Sequence, residues 1–153
     1  MTRDDVMRLS GRELDEAVTA LVFGLRVVEC DPVDGRYGPY TVREGHWTRV
    51  NGETYPLLDL LPEYSTDIAA AWEAVETATK HRPDEEFVLV RLRDGRWFAR
   101  WFDGYLDVGA GIIDGYLDDG VIAVDANPAT AASRAVLLSA LKRSEAKNGG
   151  GEA

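Results

Sequence analysis

Apolar residues recur at helical spacing near both ends of the chain and once in its middle, and at strand spacing between these tracts. Leu14, Ala17, Val18, Leu21, Val22 and Leu25 share one helical face, and Ser10 with Glu13 has the spacing of a capping box just ahead of them. Residues 2–9 suit a short helix or turn with Thr2 as its cap, and Val27–Cys30 opens a strand. A second helix is predicted from Asp67 to about Thr79, capped by Ser65 or Thr66. Its buried stripe would be Ile68, Ala71, Trp72 and Val75, and His81-Arg82-Pro83 would end it. The third helix starts where Asn127 caps and Pro128 takes the first position. It runs to about Ala146, with Ala131, Ala135, Leu138 and Leu141 on its apolar side and Lys142, Arg143 and Lys147 suited to its negative end.

Between the first two helices, residues 31–61 form an irregular insert. Asp34-Gly35 and Asn51-Gly52 are turn signals, Tyr40–Val42 and Trp47–Val50 read as short strands paired in a hairpin, and Leu57–Leu61 leads to Pro62 and the next helix. The clearest hairpin follows the middle helix: Phe87–Leu92 and Trp97–Phe102 flank Arg93-Asp94-Gly95-Arg96. With Asp94-Gly95 as a two-residue turn, Leu92 faces Trp97, Val90 faces Ala99 and Val88 faces Trp101 on one wholly apolar face. The other face then carries Phe87, Leu89, Arg91, Phe98, Arg100 and Phe102. Large apolar groups on both faces predict a sheet covered on both sides. Asp103-Gly-Tyr-Leu-Asp107 returns as Asp114-Gly-Tyr-Leu-Asp118, which makes residues 103–119 a duplicated hairpin or loop extension. Val121–Val124 is the last strand, and residues 148–153 form a glycine-rich tail expected to fray.

The 153 residues carry a net charge of −10. Such a surface repels a phosphate backbone, which argues against duplex nucleic acid as a partner but leaves room for a small anion in a local basic pocket. Cys30 is the single cysteine, so an internal disulfide is ruled out and a reducing cytoplasm fits. No apolar stretch reaches the roughly 20 residues of a membrane span, and the first residues have no apolar signal core.

Three segments resemble the phage ABA-sandwich domain family. They are Gly11-Arg-Glu-Leu-Asp15 continuing through Val18 and Val22-Phe23-Gly24, then Tyr64-Ser-Thr-Asp-Ile-Ala-Ala-Ala-Trp-Glu73 with Ala74 and Val75, and finally Ala132-Ser-Arg-Ala135. The resemblance leaves out residues 26–60 and the repeat, and Ser133 stands where relatives often carry cysteine. It implies a small protein of a phage or prophage, acting in the cytoplasm of the infected bacterial host. Together with the two-sided hairpin it gives an α+β fold, a three-layer α/β/α sandwich with a small, mostly antiparallel sheet, in one domain over residues 1–147.

Candidate chemistry is sparse. His46 and His81 lie in separate segments, Cys30 has no partner motif, and neither a phosphate-binding loop nor a dinucleotide fingerprint occurs. No catalytic residue, metal ligand or cofactor site is assigned; Asp103, Asp107, Asp114, Asp118 and Asp119 lack the alternate spacing of a calcium loop. The expectation is a non-enzymatic protein. Arg91 and Arg100, diagonal on one face beside Phe98, suit a phosphate-bearing nucleotide or, alternatively, pair with carboxylates of the acidic helices. Tyr64, Ser65 and Thr66 read either as a ligand site at a helix N-terminus or as a cap with Tyr64 packed beneath it. Tyr105, Leu106, Tyr116 and Leu117 make the repeat a candidate surface for a host protein or for a second copy in a homo-oligomer. Three functions remain open on these residues: a decoy that sequesters a nucleotide-type immune signal, a module that inhibits a host protein, and a small enzyme acting on a nucleotide or sugar phosphate.

Overall fold

The computed structural model describes residues 1–107, 112–117 and 123–149, of which 102–107 and 112–117 are described by their backbone. In chain order the elements are α1 (Arg3–Arg8), α2 (Gly11–Leu21), β1 (Val27–Cys30), β2 (Tyr37–Val50), β3 (Glu53–Leu60), α3 (Ile68–Thr79), β4 (Glu85–Arg91), β5 (Trp97–Asp107), β6 (Ile112–Leu117), β7 (Ala123–Asp125) and α4 (Pro128–Gly149). The fold is α+β, with two small antiparallel sheets: β1-β2-β3, and β4-β5-β6 with β7 beside β5.

The capping box forms at Thr2 and Asp5 of α1 and not at Ser10 and Glu13 of α2. Thr2 Oγ1 accepts the Asp5 amide at 3.2 Å while the Asp5 carboxylate accepts the Thr2 amide at 2.7 Å. Ser10 holds the N-cap position of α2 without a side-chain bond, because Gly11 at φ +51° takes the first helical position out of helical geometry.

In the insert, the expected pairing of Tyr40–Val42 with Trp47–Val50 is replaced by one long strand. Both segments lie in β2, and β3 pairs with both. Asn51 and Gly52, at φ 52° and 82°, make the tight turn between them. Glu44, Gly45 and His46 are extra residues between the pairs Arg43↔Leu57 and Trp47↔Pro56, so the interruption is a bulge rather than a turn.

The second hairpin is also in a different register. Arg91 pairs with Trp97, Leu89 with Ala99 and Phe87 with Trp101. The Leu92 amide donates to Arg96 O at 2.7 Å and the Gly95 amide to Leu92 O at 3.0 Å, with Gly95 at φ +89°. The loop is therefore three residues, Arg93-Asp94-Gly95, closed by a left-handed glycine. This shift by one redistributes every pair. Phe87, Leu89, Arg91, Trp97, Ala99 and Trp101 share one face, and Val88, Val90, Phe98 and Arg100 share the other.

The first of these faces meets the helices. Trp101 is fully buried, the Phe87 ring meets it edge-on at 5.0 Å, and Ala99 packs with Ala131 and Ala135 of α4. Small residues let the elements close up: Ala71, Ala74 and Ala78 of α3 and Ala129 and Ala132 of α4 are all buried in the same core. Trp72, expected in that stripe, is instead 43% exposed and meets Phe87 edge-on at 5.8 Å, because Ala71, Ala74 and Ala78 take the contact face. Ile68 is likewise on the exposed side.

Helix α4 is the hub. Every residue from Ala129 to Ser139 is buried, not only the predicted apolar side, since α4 packs against α1, α2 and α3 as well as β5 and β7. It also runs to Gly149, past the predicted end near Ala146 and into the expected tail, of which residues 150–153 lie outside the described residues. The two repeat copies pair backbone to backbone around Gly104↔Gly115, with Tyr105 opposite Asp114 and Asp103 opposite Tyr116.

Candidate functional site

The four polar residues buried on α4 each tie it to something else. Thr130 Oγ1 donates to Ser65 O at 2.7 Å, and Ser133 Oγ donates to Tyr64 O at 2.7 Å. Arg134 donates through Nε and Nη2 to Leu9 O, at 3.1 and 2.9 Å, and through Nη1 to the Asp125 carboxylate at 2.9 Å. Ser139 Oγ takes the Nε–H of Arg82.

Those bonds hold the Tyr64–Thr66 segment in place. The Tyr64 ring is buried and stacked on Phe23 at 5.4 Å, and burial pushes its hydroxyl up to about 12. The Ser65 amide donates to Asp15 Oδ1 at 2.7 Å, so both peptide groups of the buried pair are held by protein. Thr66 is exposed, and the helix cap is Asp67, whose Oδ1 accepts the Ala69 amide at 2.9 Å. The segment is a strap binding α2, α3 and α4 together, with Tyr64 packed under the cap.

Arg91 and Arg100 do not converge. The one-residue change of register puts them on opposite faces of the sheet. Arg91 is exposed, whereas Arg100 is 8% exposed, with its guanidinium 5.2 Å from the centre of the Phe98 ring. The side chains of Tyr105, Leu106, Tyr116 and Leu117 lie outside the described residues.

The structure instead gathers cations where α3 ends beside the last turns of α4. A cleft of about 430 Å³ there is lined by His81, Arg82, Pro83, Asp84 and Glu85 on one side and by Ser139, Lys142, Arg143 and Ala146 on the other. Arg82 links the cleft to the core. Its guanidinium lies 5.4 Å from the centre of the Trp101 ring, and it is held by Ser139 and by an ion pair with Glu85. That anchoring fixes one cation in place at little further entropic cost. Lys142 is exposed and Arg143 half-buried. Glu85 is paired with Arg82, and Asp84 is a second carboxylate on the cleft wall.

Sequence reading placed Lys142 and Arg143 only at a helix end and His81-Arg82 only at a helix stop. The available signal was two basic pairs, one just past the end of α3 and one in the C-terminal half of α4, on an acidic chain. No family model, curated protein or solved structure matches this chain.

Proposed function

We propose that this protein binds a small phosphate-bearing ligand of the nucleotide class, without converting it, in the cleft formed by His81, Arg82, Lys142 and Arg143. The observation that carries this reading is the convergence of those four side chains on one concavity of a chain whose net charge is −10. On such a surface a basic cleft selects for anions locally while the remainder repels long polyanions. Arg82, prefixed by Trp101, Ser139 and Glu85, would orient a phosphate, and Lys142 and Arg143 would close on it from α4.

The resemblance to phage ABA-sandwich domains supports the finer form of the proposal. In that form the chain is a three-layer scaffold in the cytoplasm of an infected bacterium and sequesters a nucleotide-type signal of host defence. The cleft is open, so full enclosure of a nucleotide calls for a second copy, and we include a homo-oligomer in the proposal.

Equilibrium dialysis against ADP tests the binding step. The expected result is saturable, salt-sensitive retention, with chemically unchanged ADP recovered after denaturation. Conversion of the ADP on prolonged incubation would instead make the protein an enzyme.

A further inference from the structure

A second concavity, of about 480 Å³, lies between α2, the start of β2 and the end of β3, and its chemistry is opposite to that of the basic cleft. Tyr37, Pro39, Leu60 and Leu61 supply apolar walls, and Asp15 and Glu63 supply carboxylates. Arg12 also borders it, but its guanidinium is engaged by Glu16 at 3.1 Å and by Glu29. The two acids therefore set the local charge.

Two features distinguish this place from an ordinary acidic surface. Asp15 is only 6% exposed and borders the cleft; it accepts the Ser65 amide on Oδ1 and a second bond from the Ser65 hydroxyl, which leaves part of the carboxylate's acceptor capacity unused. Tyr37 and Leu60 are 87% and 78% exposed, so two large apolar groups stand in water beside that buried acid. A carboxylate withdrawn from water next to apolar walls is best matched by a cation with N–H donors on an apolar body. No group of three metal-ligating side chains occurs among the described residues.

We infer that this cleft binds a small apolar primary amine, its ammonium donating to Asp15 near Glu63 and its hydrocarbon or aromatic body lying against Tyr37, Pro39 and Leu60. The site shares no residue with the basic cleft and stands or falls independently of it.

Calorimetric titration with tyramine, set beside 4-ethylphenol as the same body without the ammonium, tests the inference. Tyramine should bind at least tenfold more tightly than 4-ethylphenol. Asp15→Asn, which keeps an oxygen for the Ser65 amide, should weaken tyramine at least tenfold and leave 4-ethylphenol unchanged. Glu63→Gln should weaken tyramine severalfold, and Tyr37→Ala should weaken both probes. Glu63 and Tyr37 are exposed, so these two variants carry the test even if Asp15→Asn does not fold. Absence of tyramine binding at low millimolar concentration, equal binding of the two probes, or tyramine binding that Glu63→Gln and Tyr37→Ala leave unchanged would overturn it.

Discussion

Ser133 and Tyr64, 69 positions apart in sequence, are joined by a hydrogen bond of 2.7 Å from the serine hydroxyl to the tyrosine carbonyl. Both residues are buried, and the bond fastens the hub helix to the strap ahead of α3. Removing the hydroxyl leaves a buried carbonyl without this donor. Ser133→Ala is therefore expected to lower stability by about 1–3 kcal/mol. Urea unfolding should show a lower midpoint at unchanged slope.

Arg134 carries a heavier load, since one guanidinium serves the Leu9 carbonyl and the Asp125 carboxylate. Its ion pair is mostly sequestered, with 11% and 27% side-chain exposure. Arg134→Met should cost about 3 kcal/mol, because it removes both bonds to the Leu9 carbonyl and leaves Asp125, among the described residues, with the Asn127 amide alone. Arg134→Lys should recover only part, as a single ammonium cannot reproduce the fork. Thermal unfolding of the two variants gives the comparison.

Asp15 adds a pH dependence of known sign. Burial pushes its carboxyl above the ordinary 3.8, outweighing the Ser65 hydrogen bond that pulls it down, and Glu63 and Glu16 add to the rise. The folded state thus holds the proton more tightly than the unfolded chain. The stability that this group contributes is fully present below 3.8 and is lost as pH rises through the raised folded value. The difference in unfolding free energy between wild type and Asp15→Asn should therefore shift against wild type as pH rises through that window. Denaturant titrations at a series of pH values check it, and a flat difference would contradict it.

The hairpin register makes Arg91 and Arg100 unequal. Arg91 is exposed, so Arg91→Ala should change stability by no more than about 0.5 kcal/mol. Arg100 is buried over Phe98, so Arg100→Ala should be clearly destabilising. Neither substitution should alter ADP retention among molecules that remain folded, because neither residue lines the basic cleft.

Local sequence signals located α2, α3 and α4, the Asn51-Gly52 turn, and strands on either side of Asp94-Gly95. They did not settle the register. An Asp-Gly pair suits a two-residue loop and equally a three-residue loop with glycine at the left-handed position. Trp101 and Ala99 share a face in either case; packing of Phe87 and Leu89 beside them, in place of Val88 and Val90, goes with the three-residue loop, and that is a tertiary effect. The same limit applied to Trp72, since the stripe of Ala71, Ala74 and Ala78 is as regular as the bulkier one. The basic cleft was hidden for a related reason. His81-Arg82 and Lys142-Arg143 are distant in sequence and meet only because small residues bring α3 and α4 together.

Identifying what the protein carries from the cell tests ligand binding in the basic cleft. Wild type and Lys142→Ala/Arg143→Ala would be purified in parallel from infected, signal-producing bacteria and heat-denatured, and the released small molecules weighed by mass spectrometry. Both altered residues border solvent, so the double variant should keep the wild-type circular dichroism spectrum. An intact nucleotide-type molecule at near-stoichiometric amount from wild type, and its loss from the variant, is the predicted result. An empty spectrum from wild type, or the same molecule in equal amount from both, would rule out ligand binding in this cleft.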